Sequence, residues 1–248
     1  MAQTKFGVGY LIGVAKTDQS GIALANPQPF QFGILQEVST DFSFESKTVY
    51  GASMFAADVG RGKAKLAFSA KSASIDFDAF AALHFGVTPV SGFSGPMINA
   101  AITAAATVTV TPPSAGTFVS DLGVTDLNGN RFTRVTATPA AGQYTVTAAG
   151  AYGFATGDVG RALLVSYEYK VAGSGTTLNL TSSLMGYAPE FSVMLMNDSK
   201  GQKLAISLSR CISDKLALPF KNEDFVIADF GFEAMANAAG SVGYISRM

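Results

Sequence analysis

The sequence predicts a mainly β protein, a β-sandwich or barrel with one flanking α-helix and an inserted small β module. Three observations lead to this fold class. Several segments alternate apolar and polar residues with the period of two that is typical of half-buried strands. A single segment has helical periodicity. The middle of the chain changes to a Thr-, Val-, Ala- and Gly-rich composition with closely spaced turn residues.

The N-terminal third contains strands separated by a long connection. Alternation is clear at residues 30–32, 41–45 and 63–71. The apolar stretch at residues 6–15 contains several glycines, which favours an arm or a first strand over a signal peptide. Residues 46–62 are too long for a hairpin turn, and we expect a loop there that is functional or covered.

One helix is predicted over residues 74–85. Ser74 can cap it, Asp76 and Asp78 lie in the first turn where the helix dipole favours acids, and Gly86 can end it. Its wide apolar face must pack on a sheet. That face comprises Ile75, Ala79, Ala82 and Phe85, with Phe80 and Leu83 beside them.

The change in composition predicts two domains. We assign residues 1–96 and 173–248 to the main β domain and residues 97–172 to the inserted module, with a flexible joint at 173–175. The module's predicted strands are 107–111, 132–138, 143–147 and 162–169. In the last third, predicted strands 190–196 and 202–209 flank a polar turn, and further strands are predicted at 225–227 and 229–234.

Residues that commonly perform catalysis are scarce. The chain has one His, His84, and one Cys, Cys211, and its net charge is −1. We expect His84 to be favoured as a cation by the helix C-terminus and Cys211 to be a small buried hydrophobe. The segment GRGK at residues 60–63 lacks the glycine and hydroxyl positions of a phosphate-binding loop. We therefore predict no catalytic, cofactor or metal site.

The surface composition favours an assembly. Charged residues make up 14% of the chain, against roughly 25% in an ordinary soluble domain. The longest low-charge run, residues 97–111, is too short to cross a membrane. The tetrapeptide DVGR occurs at residues 58–61 and 158–161, and we interpret the pair as two similar turns. A surface with few charges is more easily explained if other subunits cover much of it.

Several motifs together resemble the tail tube, or major tail, proteins of long-tailed bacteriophages. The first is VYGASMFAADVGRGK at residues 49–63, followed by a Lys/Ala-rich strand and the predicted helix. The C-terminal motifs are GQKL at 201–204, LALPFKNEDF at 216–225 and DFGFEA at 229–234. Residues 144–169 resemble β modules of phage virion proteins.

The resemblance implies a structural virion protein without enzyme activity or cofactor. Six copies would join their sheets into a ring, and stacked rings would form the tube through which DNA leaves without specific binding. The partners would be other copies of the chain and other tail proteins. The protein would be synthesised in the host cytoplasm and would then be located in the virion, in the phage tail. The intersubunit contact candidates are Tyr50, Met54, Phe55, Arg61 and Lys63.

Two alternatives remain open from the residues. The chain could be another phage structural protein, for example a decoration or tail-completion protein. It could also be a carbohydrate- or host-binding β module. Such a module would need an aromatic platform, and because the chain has no Trp, the platform would be built from tyrosines. The candidates are Tyr144, Tyr152, Tyr167 and Tyr169.

Overall fold

A computed structural model describes residues 6–182 and 184–248 and confirms the predicted fold class. The chain is 56% strand and 6% helix. It divides into two compact units, the first formed by Met1–Pro89 with Leu178–Met248 and the second by Val90–Thr177. The second unit is larger than the predicted module, residues 97–172, at both ends. The strands that begin and end it extend past residues 97 and 172, to Val90 and Thr177.

The described residues form fifteen strands, one short helical segment and two single 3-10 turns, Pro113–Ala115 and Thr156–Asp158. The strands are β1 (Tyr10–Ala15), β2 (Pro29–Phe32), β3 (Leu35–Tyr50), β4 (Ala56–Ser72), β5 (Val90–Thr103), β6 (Val108–Thr109), β7 (Thr117–Asp126), β8 (Thr133–Arg134), β9 (Gln143–Val146), β10 (Ala151–Phe154), β11 (Ala162–Thr177), β12 (Glu190–Ser199), β13 (Gln202–Ala217), β14 (Ala228–Ala234) and β15 (Gly243–Arg247). The helix α1 (Phe77–Phe80) continues into a π-helical turn, Ala81–Phe85.

The first unit is one antiparallel sheet that wraps around its own core. The strand order is β2-β1-β12-β13-β14-β4-β3, and β15 pairs with β13 beside β14. The end strands β2 and β3 are joined by two residues, so the two ends of the sheet lie close together. Phe32 of β2 also stacks on Phe230 of β14, with ring centroids 4.7 Å apart. Since these strands are far apart in the strand order, the sheet must curl into a barrel-like sandwich.

The helical segment fills the curled sheet, as the apolar pattern predicted. Phe80 lies against Phe230 and Phe32, with ring centroids 5.9 and 6.3 Å away. Leu83 packs so closely on β1 that a Cβ at Gly13 would lie 2.6 Å from its Cδ1 atom. A glycine is therefore required in β1 at the point where the helix crosses it.

The helix boundaries are confirmed at one end only. Gly86 ends the segment in a left-handed conformation with φ of 63°. At the other end Asp76, not Ser74, is the N-cap, and its carboxylate accepts hydrogen bonds from the amides of Asp78 and Ala79. The Ser74 hydroxyl instead accepts from the Ile34 amide, at 3.1 Å. Ser74 thus fixes the link between β2 and β3, which the sequence could not show.

The predicted β12–β13 hairpin is confirmed, but its turn is shorter than the predicted residues 197–201 because β12 continues to Ser199. Ser199 pairs with Gln202, which leaves Lys200 and Gly201 as a two-residue turn. Both have positive φ angles, 55° and 77°. A two-residue turn of this type matches the twist of the flanking strands and is the commonest short hairpin connection.

The second unit is a small sandwich of two sheets. One sheet has the order β5-β11-β7, and the other has the order β6-β10-β9-β8. Its aromatic core is separate from that of the first unit. Asp121 is buried there and accepts hydrogen bonds from the hydroxyls of Tyr144 and Tyr152, at 2.6 and 2.9 Å. Burial and this carboxylate raise the pKa of both phenols above its ordinary value.

Several secondary-structure predictions are wrong. Residues 225–227 are irregular rather than a strand, and of the predicted strand 132–138 only Thr133–Arg134 is extended and paired. Residues 173–175 are not a joint but lie inside β11. The pairing with β5 shifts register between Val171 and Thr176, so these glycines form a bulge in a continuous strand.

Candidate intersubunit surface

The predicted loop at residues 46–62 is wrong, because most of it is strand. β3 and β4 pair continuously from Leu35↔Ser72 out to Tyr50↔Ala56. The turn between Tyr50 and Ala56 holds the remaining residues. β14 pairs with β4 only over Ala67–Ser72. Beyond Leu66 the two strands therefore form a two-stranded ribbon, which we call the distal hairpin (residues 42–66).

The distal hairpin exposes large apolar side chains. Met54 and Phe55 in the turn are 91% and 82% exposed, and Tyr50 at the end of β3 is 65% exposed. Phe42, Phe44, Val49 and Val59 along the strands are also exposed. Monomeric proteins rarely show contiguous apolar patches above a few hundred Å². The structure thus places the predicted contact residues Tyr50, Met54 and Phe55 together on one projecting element.

The predicted basic contact residues lie on the same hairpin. The Arg61 guanidinium lies over the Phe44 ring, 4.1 Å from its centroid. This contact covers one ring face and is worth about 0.5–1 kcal/mol at an exposed site. Lys63 follows in β4 with its side chain exposed, beside a register shift between Phe44 and Ser46. All five predicted contact residues therefore belong to one hairpin.

Phe42 and Phe44 were missed as contact candidates. Register places them opposite Leu66 and Ala64, on the face that carries buried Phe68 nearer the core. The core-facing side of the sheet thus continues past the end of the core, where its apolar side chains become exposed. Its sequence signal, alternation at residues 41–45, is the same as for a core strand, because alternation does not show where the core ends.

The outer face of β3, β4, β14 and the second half of β13 is charged. Ion pairs join neighbouring strands: Lys65 with Glu233 at 3.0 Å, Lys71 with Glu37 at 2.6 Å, and Lys215 with Asp229 at 2.5 Å. A cavity of about 520 Å³ opens on this face, lined in part by Asp41, Asp214 and Asp229. We call this surface the charged face.

The repeated tetrapeptide does not form two similar turns. Residues 58–61 are extended within β4, whereas 158–161 begin in a single helical turn. In the second copy the guanidinium of Arg161 donates to the buried Asp158 carboxylate at 2.7 Å. The two copies share a sequence and differ in structure because only the second lies beside a core.

His84 and Cys211 lie in the interior of the first unit. His84 packs against Phe80 and Phe230, and its Nδ1 is hydrogen-bonded to the Ser213 hydroxyl, beside a cavity of about 290 Å³. Burial lowers the pKa of His84 to about 4, so the expected cation at the helix end is wrong. Burial also raises the pKa of the Cys211 thiol to about 12, which confirms it as a buried hydrophobe.

The buried imidazole predicts a pH dependence of stability. Its pKa is lower in the folded chain, about 4 against 6.5, so the unfolded chain binds the proton at higher pH. Stability is therefore lost as pH falls from about 6.5 toward 4. Between pH 7 and pH 5 the loss from this group is about 2 kcal/mol.

Urea unfolding of the wild type and of His84→Gln at both pH values measures this loss. The variant keeps a polar partner for Ser213 but cannot titrate, so its free energy of unfolding should fall less on acidification. An equal fall in both proteins would show that His84 is not the titrating group.

Among the described ranges 6–182 and 184–248, no cluster of three or more His, Cys, Asp or Glu side chains has a metal-binding arrangement. No helix within those same ranges has the length and apolar character needed to cross a membrane. No family model matches the chain, and no curated protein sequence is significantly similar to it.

Proposed function

We propose that this protein is a structural subunit of a bacteriophage tail tube, which assembles as rings of identical copies stacked around a DNA channel. The observation that carries the proposal is the distal hairpin, with Met54 and Phe55 almost fully exposed at its tip. A two-stranded ribbon is marginally stable alone and needs a third strand or a packed face. A neighbouring copy supplies that face in a tube.

The strand edges support the same proposal. β3 is sixteen residues long and pairs on one side only in the described part of the chain. A long open edge is a template for pairing with another chain unless it is blocked. The opposite edge, β2, has four residues and begins with Pro29, features that limit pairing there. The open edge of β3 therefore favours a neighbour beside it.

The charged face suits a DNA channel. It presents five carboxylates, Glu37, Asp41, Asp214, Asp229 and Glu233, against three lysines, Lys65, Lys71 and Lys215. These eight side chains, which form the ion pairs and line the cavity, sum to a charge of −2. A channel that must release DNA cannot neutralise phosphates, since each neutralised phosphate adds affinity. Of the two halves of the sheet's outer surface, this one is the better channel lining.

A carbohydrate-binding module is less well supported. Three of the tyrosines considered for an aromatic platform, Tyr144, Tyr152 and Tyr167, are buried in the core of the second unit. Rings packed inside a core cannot stack on a sugar.

Sedimentation velocity and electron microscopy of the purified full chain test the proposal. We expect assembly that rises with protein concentration, with hexameric rings or tubes in the images. Monomers alone across a wide range of concentration and salt would overturn the proposal. Compact closed oligomers without rings would favour a decoration or tail-completion protein.

A further inference from the structure

We infer that the distal hairpin of one copy lies on the apolar outer face of β1, β12, β13 and β15 of a second copy. The inference rests on the proposed assembly and adds the surface that receives the hairpin. We call this surface the apolar face. It is the part of the sheet's outer side that the charged face does not occupy.

The strand register defines the apolar face. Tyr10 of β1 is opposite Met196 of β12, and Ile12 is opposite Met194. Met194 is in turn opposite Ser207 of β13, which is opposite Tyr244 of β15. Their alternate neighbours Leu11, Val193 and Leu195 are buried. The exposed apolar side chains therefore lie on β1, β12 and β15, with the half-buried Ser207 of β13 between Met194 and Tyr244. Tyr10 is 58% and Tyr244 54% exposed.

The sequence of these strands indicates that both sides are covered in the assembled state. β12 carries four consecutive apolar residues, from Val193 to Met196, and β1 begins with three, from Tyr10 to Ile12. Antiparallel strands with one solvated side alternate apolar and polar residues, and continuous apolar runs are typical of strands buried on both sides. The core covers one side, and the other side is not buried by any residue within 6–182 and 184–248.

The distal hairpin fits this face in chemistry and size. Both surfaces present exposed aromatic, aliphatic and Met side chains, and Met adapts to irregular contacts. Four strands span roughly 15 Å, and residues 42–50, the β3 arm of the hairpin, are about 27 Å long. The ribbon can therefore lie across the face.

The contact must join two copies. The distal hairpin and the apolar face belong to the same unit, and both are exposed there. Neither covers the other within one chain. Two different surfaces of one molecule that bind each other make a heterologous contact, which continues from copy to copy into rings or tubes.

Disulfide trapping between two variants that each carry one added cysteine tests the inference. Met54→Cys, carrying an affinity tag, is mixed with untagged Met196→Cys under assembling conditions and oxidised. The native Cys211 is buried with a raised thiol pKa and does not compete. In the matched control, the untagged protein carries Ser69→Cys in place of Met196→Cys. Residue 69 is an exposed position of β4 on the charged face.

We expect a tagged–untagged dimer with Met196→Cys in at least tenfold excess over the Ser69→Cys control. Equal trapping in both mixtures, preferential trapping at Ser69, or no mixed dimer would overturn the inference whenever sedimentation shows assembly. Absence of assembly in the wild type as well as the variants would instead overturn the proposed function, and the inference with it.

Discussion

Phe55→Asp is expected to abolish assembly while leaving the monomer folded. Phe55 is 82% exposed in the single chain, so replacing it removes little packing within that chain. In an intersubunit contact the same change buries an unpaired carboxylate, at a cost of about 3 kcal/mol or more. That cost corresponds to a weakening of about 100-fold or more for each contact. Sedimentation velocity measures the loss, and thermal unfolding of the monomer measures the fold.

Two variants in the same turn serve as controls. Phe55→Leu keeps an apolar side chain and should assemble. Ser53→Asp adds a charge to the turn without removing an apolar anchor, and should weaken assembly much less than Phe55→Asp. If Phe55→Asp instead lowers the monomer's melting temperature markedly, the ring packs within its own chain, and the hairpin is not the contact.

The position of the hairpin could be found from the sequence, but its structure could not. Residues 46–62 contain Gly51, Gly60 and Gly62 and lack a steady alternation, which together favour a loop. Alternation records a difference between a buried and a solvated side. A ribbon exposed on both sides has no such difference, and its strands are specified by pairing with each other rather than by a core.

Strands with one buried side were predictable for the same reason. β2, β13 and β14 alternate and pack Phe32, Leu208 and Phe230 into the core. The predicted positions of β2 and β14 are confirmed, whereas β13 begins at the predicted residue 202 and continues past the predicted end at 209 to Ala217. β15 was missed because all five of its residues are exposed. The apolar face was missed as well, although the run from Val193 to Met196 was a usable signal. In that run the outward-facing residues Met194 and Met196 are apolar like the buried Val193 and Leu195.

The C-terminal limit of the inserted unit was misplaced because glycines occur both in flexible joints and in β-bulges. Gly173 and Gly175 have positive φ angles, which occur both in flexible joints and in bulges. The sequence around them does not distinguish the two. Pairing decides the matter, since β11 resumes register with β5 at Thr176 and Thr177.

Deletion of residues 90–177 is expected to leave the first unit folded and able to assemble. Val90 and Thr177 are directly opposite each other at the ends of β5 and β11. Paired residues in antiparallel strands have Cα atoms roughly 5 Å apart. A bridge of about three Gly or Ser residues between Pro89 and Leu178 can span that gap. The core of the first unit contains no residue from the deleted segment.

Deletion of residues 98–172 is the matched control. It retains the ends of β5 and β11 without β7 or the second sheet, and of their pairs only Val90↔Thr177 and Ser91↔Thr176 remain. Two strands without a packed face are marginal, so this variant should be less soluble than the 90–177 deletion. Circular dichroism, melting temperature and sedimentation compare the two proteins with the full chain. If the 90–177 deletion is insoluble while the isolated segment 90–177 folds, the first unit depends on its insertion, and the two units are not independent in folding.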